Sequence, residues 1–263
     1  NNTAIFGVAH TFANRGKHLI TSNIEHASVY ECFRELERQG YEVTYLNADS
    51  TGAVKPEDVE KALREDTILV SIMAVNNETG RFQPIERIGA LLKSRSRTLF
   101  HVDAVQAAGK LSLNPGQIGI DLMSLSAHKF RGPKGVGVLY KRKGLKFSPL
   151  ILGGGQQGGM RSGTENAPSI VGMAKAFRIA SDRMAEDRAK LVLLRRTLLD
   201  RLAKDSRIKL TGAEDDAEMA PHIVHLRVPG IRAEVMVHAL EKDGFYISSQ
   251  SACSSGEEKP SRV

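Results

Sequence analysis

Over roughly the first 140 residues, short apolar runs alternate with amphipathic stretches. Residues 18–24 predict a strand. Residues 27–39 predict a helix, with Val29, Cys32, Phe33 and Leu36 at helical spacing and Gly40 as its stop. Residues 41–47 predict a strand, and residues 56–64 a short helix with Pro56 in its first position. Residues 67–75 are almost wholly apolar, the pattern of a strand buried on both faces of a parallel sheet. A helix over 85–94 and strands over 98–102, 122–125 and 136–140 complete the series. This alternation predicts an α/β fold, a parallel or mixed sheet between helices.

Beyond residue 165 the texture changes. A long helix is predicted over 169–204, with Leu191, Leu194, Leu198 and Leu202 on one face. A strand over 223–228, a helix over 233–242 stopped by Gly244, and a strand over 246–249 follow. The expected organisation is a large domain over 1–175 and a smaller, incomplete α+β domain over 176–263.

Hydrophobic residues make up 41% of the 263 and charged residues 25%, which argues against a disordered, collagen-like or mucin-like chain. The longest apolar run is far short of the about 20 residues a bilayer span needs, and residues 1–6 do not read as a signal peptide. The net charge of +7 comes from scattered basic residues. The densest run, residues 141–146, lacks interleaved aromatics and reads as a solvated turn, so neither nucleic acid nor membrane is expected as a partner. A modest positive field also suits a small anionic ligand. The two cysteines, Cys32 and Cys253, form neither a disulfide framework nor a zinc motif, and a reducing compartment, cytoplasm or organelle matrix, is expected.

In such sheets, ligands sit at the carboxyl ends of strands. The polar residues there are His26, then Asn76, Asn77 and Glu78, then Asp103 and Gln106, then Ser126, His128 and Lys129. Lysine is ordinarily a solvated cation, but Lys129 follows an apolar strand and precedes a glycine-rich turn, where burial or neighbouring cations make an amine nucleophilic. Asp103 serves either as a helix cap or as the partner of a cation in the crevice. His26 is either structural or a proton carrier near neutral pH. Cys32 lies among apolar residues and reads as core. Cys253 lies among serines and a glycine, in an expected mobile, exposed loop over 248–260, and is either incidental or a nucleophile. The glycine-rich stretch 153–164 is either a linker or a close-approach loop whose Arg161, Ser162 and Thr164 donate to an anion.

Taken together, and in this order, these segments resemble a cysteine desulfurase of the NifS/IscS type, within the fold-type I pyridoxal-phosphate enzymes. The segments are 21–26, 75–78, 101–106, 126–129 with 132–135, 161–164 and 251–255. The resemblance implies that Lys129 holds pyridoxal 5'-phosphate covalently, Asp103 pairs with the pyridine nitrogen, and Gln106 bonds the phenolic oxygen. His26 stacks on the ring and shuttles protons, and Asn77 sits near the phenolate and the substrate. Ser126 and His128 bind the phosphate, and Thr164 reaches the phosphate of a neighbouring subunit, implying a homodimer. Cys253 takes sulfur from L-cysteine as a persulfide, leaving L-alanine, for an iron–sulfur scaffold or a tRNA-thiolation protein.

This chain departs from the family in places. Gln250 stands where many relatives have glycine, and an arginine common near Gly158 is absent. The family also has a Gly-Ala-Thr-Glu segment before the point matching Asn1 and a substrate-binding arginine beyond that matching Val263, so the chain reads as an excerpt of a longer protein. A selenocysteine lyase, another fold-type I enzyme such as an aminotransferase (disfavoured by Cys253), and an inactive scaffold subunit are the alternatives.

Overall fold

The computed structural model describes residues 1–213, 215–249 and 261–263. In chain order the larger unit comprises α1 (Asn2–Phe12), β1 (His18–Ser22), α2 (Ala27–Arg38), β2 (Glu42–Leu46), α3 (Pro56–Ala62), β3 (Thr67–Ser71), α4 (Ile85–Leu92), β4 (Leu99–Asp103), α5 (Pro115–Ile118), β5 (Leu122–Ser126) and β6 (Gly137–Lys141). The strands form one sheet in the order β2-β1-β3-β4-β5-β6, parallel except for antiparallel β6.

β1, β3 and β4 are buried along their whole length, which is why they read as continuous apolar runs. Adjacent residues on these strands and on β5 serve opposite cores. Leu19, Leu69, Leu99 and Leu122 pack with α1 and α2 through Ile5, Val8, Phe33 and Leu36. Ile20, Val70, Phe100 and Met123 pack with α3 and α4 through Val59, Ile85 and Ile88. The result is a sheet between two helical layers. Cys32 belongs to the first core, as expected, and burial pushes its thiol up to about 11.

Helix packing leaves no room at one glycine. A Cβ at Gly89 of α4 would lie 2.1 Å from the carbonyl oxygen of Ile118 in α5. Gly89→Ala is expected to destabilise by about 1–3 kcal/mol through overpacking. Urea unfolding of the two proteins measures this, and an unchanged midpoint would show that α4 and α5 separate freely.

Several elements differ from the expectations. α1 carried no prediction, although Ala4, Ile5, Val8 and Ala9 form its buried stripe. β3 ends at Ser71, although the amides of Ile72 and Ala74 still bond the carbonyls of His101 and Asp103; beyond them Val75 bridges to Phe82 and the amide of Asn76 bonds the carbonyl of Arg81, turning the apolar run back on itself. The long helix over 169–204 is two helices, α6 (Ala167–Asp182) and α7 (Met184–Leu202). Arg183 between them leaves helical geometry (φ −97°, ψ 2°) and pairs with Asp187 at 3.3 Å. On α7, Leu194 and Leu198 stay exposed, and the buried residue is Arg195, bonded to Asp216 and to the Ile223 carbonyl.

The strand over 223–228 contracts to β8 (Leu226–Arg227), which pairs antiparallel with β7 (Lys209–Leu210). α8 (Ala233–Lys242) forms as expected, and Gly244 adopts φ +82°. The strand expected over 246–249 does not form. Tyr246 and Ile247 are exposed and, among the described residues, no strand lies beside them to complete a ladder. Cys253 lies outside the described residues.

Candidate active site

Chain order reverses between β1 and β3, and the parallel strands β1 to β5 bring their carboxyl ends to one edge of the sheet, the usual ligand position in open α/β sheets. A cavity of about 340 Å³ opens there, lined by Asn1, His26, Ser28, Met73, Asn77, Asp103, Gln106, Ser124, Ser126, His128 and Lys129, among others. A larger cavity of about 450 Å³ lies across the Lys129 turn. Its walls come mainly from α6 and α7, and of the strand-end residues it touches Lys129 alone.

Each side chain reaches the smaller cavity for a local reason. His26 caps α2, its Nδ1 accepting from the backbone N–H of Ser28 at 3.1 Å. That bond makes Nδ1 an acceptor and puts the ring proton on Nε2 in the neutral imidazole. His26 is therefore a structural cap that also lines the cavity. Asp103 ends β4; its Oδ1 accepts from the Val105 amide at 3.0 Å, and its Oδ2 accepts from Asn1 Nδ2 at 2.8 Å. No helix directly follows it, so Asp103 closes a turn instead of capping a helix, and it forms part of the cavity wall. Asn1 Nδ2 also donates to Ser28 Oγ at 2.7 Å, linking the supports of Asp103 and His26.

Lys129 stands in a single 3₁₀ turn, Ala127–Phe130, at the end of β5. Beside it, Ser126 Oγ and His128 Nδ1 lie 2.8 Å apart. Partial burial, then the charges of Lys129 and Lys134, then His26 and Lys110 hold the His128 imidazole below its ordinary value. The same positive field favours a bound anion.

Beneath the cavity a polar ladder crosses three strands. His101 is fully buried, with Nδ1 2.8 Å from Ser71 Oγ and Nε2 2.9 Å from Ser124 Oγ. Burial pushes it down to about 3, so it is neutral. Glu25, next to His26, is likewise buried. Its Oε1 accepts from Ser22 Oγ at 2.7 Å and from the Met73 amide at 3.0 Å, tying the end of β1 to the segment after β3.

Of the expected residues, His26, Asn77, Asp103, Gln106, Ser126, His128 and Lys129 line one cavity. Asn76 does not; it is fully buried and braces its own turn, with Oδ1 accepting from the amides of Glu78 and Thr79. Thr164 is exposed and outside this lining. In the glycine-rich stretch, Arg161 donates to the Ser162 carbonyl and Ser162 to the Gly154 carbonyl, so these donors serve the loop itself. Asn1, Ser28, Met73 and Ser124 went unforeseen. Only Ser124 carried a signal, lying two positions before Ser126 on the same strand face.

Residues 1–262 match the family described as aminotransferase class-V. The chain belongs to that family. Class-V relatives include the cysteine desulfurase IscS of Clostridium botulinum (strain Hall), 42% identical over all of this chain and 66% of that protein. The putative cysteine desulfurase IscS 1 of Bacillus subtilis is also 42% identical, over all of this chain and 69% of that one. Among solved structures, a NifS-like protein matches with a TM-score of 0.90 at 40% identity, covering 97% of this chain and 69% of that one. DndA from Streptomyces lividans matches with a TM-score of 0.82 at 37% identity, covering 92% and 68%. The class-V fold here is the expected fold-type I architecture, with a mainly parallel sheet flanked by helices. The chain spans 66% of the length of the first of these curated relatives.

Proposed function

We propose that the whole protein is a pyridoxal-phosphate-dependent cysteine desulfurase. It would move the sulfur of L-cysteine onto the Cys253 thiol, giving L-alanine and a Cys253 persulfide. One juxtaposition carries this reading: an amine (Lys129), a carboxylate (Asp103) and an imidazole (His26) line a single small cavity at the strand ends. The relatives named cysteine desulfurase support the same reading.

The donor set fits the cofactor. Lys129 supplies the amine for covalent attachment, and Asp103 the carboxylate for the pyridine nitrogen. Gln106 and Asn77 provide amides for the phenolic oxygen. Ser126 and His128 sit in the positive field that a phosphate needs, and Thr164 would serve a neighbouring subunit's phosphate in a homodimer. The cavity volume falls at the lower end of the range for small-ligand sites, about 300–1,000 Å³. When bound, the cofactor supplies an electron sink that weakens the bonds around the substrate's α-carbon.

The chain's own residues then divide the work. His26, with Nδ1 engaged by Ser28, has Nε2 to carry a proton. Asp103, held by Val105 and Asn1, presents a fixed charge. Ser261 and Arg262, downstream of Cys253, return to the rim of the site. Ser261 Oγ donates to Glu78 at 2.6 Å, and Arg262 donates to the Glu25 carbonyl at 3.2 Å while lying over the Tyr30 ring. Residues 1–175 would form the cofactor domain and 176–263 part of the second. A reducing compartment, cytoplasm or organelle matrix, suits the persulfide, and its acceptor would be an iron–sulfur scaffold or a tRNA-thiolation protein.

The test is alanine release by the full-length protein from cysteine and from selenocysteine, with Cys253→Ala beside the wild type. The expected result is release from cysteine that falls about 100-fold or more in the variant. Equal rates on cysteine would overturn the persulfide route, and activity confined to selenocysteine would make the protein a lyase for that substrate.

A further inference from the structure

Lys129 is held from behind by a second lysine. Lys110 lies in the loop after β4, seven positions beyond Asp103, and its Nζ donates to the backbone carbonyl of Lys129 at 2.9 Å. Within the 3₁₀ turn the amides of Arg131 and Gly132 both bond the carbonyl of Ala127. Among the described residues, the Lys110 amine is the partner of the Lys129 carbonyl.

The turn needs such a hold. Arg131, which closes it, sits in the left-handed region at φ 65°, unfavourable for a residue with a side chain. The neighbouring chain is pressed close: a Cβ on Gly109 would come 2.8 Å from Ala180 and 3.4 Å from Phe130. Burial, together with the charges of Lys129 and Arg131, pushes the Lys110 amine down to about 8. A cation kept in so unfavourable a place, bonded to one carbonyl, fits a positioning role better than a solvated one.

We infer that Lys110 is a positioning residue, which pins the backbone of Lys129 and sets the separation between the Asp103 segment and the Lys129 turn. The inference rests on the reading of Lys129 as the cofactor lysine. The link runs from the loop of one strand to the turn of the next, so losing it would free the Lys129 turn without dismantling either strand.

The experiment uses the full-length protein with Lys110→Met, which keeps an apolar stem but no donor, and Lys110→Arg, which restores one. Borohydride trapping of pyridoxal 5'-phosphate, mapped by peptide mass, reads the placement of Lys129. Amide hydrogen exchange over residues 127–132, without cofactor, reads the turn itself. The expected result is trapping at Lys129 about tenfold slower in Lys110→Met, with exchange over 127–132 about tenfold faster and β1, β3 and β4 unchanged. Lys110→Arg should recover most of both. Should Lys110→Met unfold, the arginine variant and a Lys110→Gln variant carry the same comparison. Trapping and exchange as in the wild type, in a folded Lys110→Met protein, would overturn the inference alone. A wild type left unlabelled at Lys129 would overturn the site reading and the inference with it.

Discussion

Lys129→Ala is expected to yield a folded protein that no longer holds pyridoxal phosphate covalently and releases alanine from cysteine about a thousandfold more slowly, or worse. The turn that carries Lys129 is built from main-chain bonds to Ala127 and from the Lys110 contact to the Lys129 carbonyl, none of which uses the Lys129 side chain. Removing that side chain should therefore change stability by only about 0.5 kcal/mol. The chemical loss is large because, among the described residues, no other lysine lines the cavity. Lys129→Arg should fail equally, since a guanidinium keeps its charge and offers no nucleophile at neutral pH. Absorbance of the bound cofactor, mass after borohydride reduction and alanine release measure the outcome together. A covalent chromophore surviving in Lys129→Ala would remove the central residue from the proposed site.

The contribution of Glu25 to folding stability is expected to decline as pH rises from about 4.5 to about 8, and the Glu25→Gln variant should lack it. Burial pushes the Glu25 carboxyl up from its ordinary 4.5 to about 8; the bonds from Ser22 and Met73 oppose this only in part, and the Asp103 charge adds to it. A folded value above the unfolded one means the native state binds the proton more tightly. The stabilisation is complete below about pH 4.5 and is lost as pH rises through about 8. The full difference is on the order of 5 kcal/mol, since each tenfold change in proton affinity is about 1.4 kcal/mol.

His101 works in the opposite sense. Its folded value near 3 lies below the unfolded 6.5, so its contribution is present above about 6.5 and is lost as pH falls toward 3. Comparing wild type with Glu25→Gln cancels His101 and isolates Glu25. In glutamine the carbonyl oxygen still accepts from Ser22 and Met73, but a buried amide nitrogen replaces Oε2, at a cost of about 1–3 kcal/mol. The variant should therefore be less stable at pH 5 and draw level or ahead by pH 8. Urea midpoints across that range would decide it, and two parallel curves would mean that Glu25 does not change its protonation there.

The larger part of the fold was legible because its signals are local. Gly40 ends a helix and adopts φ +83°, as its position predicted, and Pro56 opens α3. β1, β3 and β4 announced themselves as apolar runs because helices cover both faces. Legibility failed where a partner decides the outcome. Residues 246–249 and the leucines of α7 have the right pattern and, among the described residues, no covering layer. Within the site, the strand-end rule found the residues whose side chains end in chemistry. It passed over Glu25 and Lys110, whose importance lies in what they touch: the Met73 amide and the Lys129 carbonyl, 48 and 19 positions away.

Sequence alone determined the alternation of strand and helix, the apolar faces, and the identities of Lys129, Asp103 and His26 at strand ends, because each depends on residue type and spacing within a few turns of chain. Tertiary structure alone decided the strand order that gathers the strand ends around one cavity, the neutral state of His101, the burial of Glu25 and the grip of Lys110 on Lys129. Those properties depend on which distant groups exclude water or supply a hydrogen-bond partner, and desolvation and partnership exist only once the chain has closed around them.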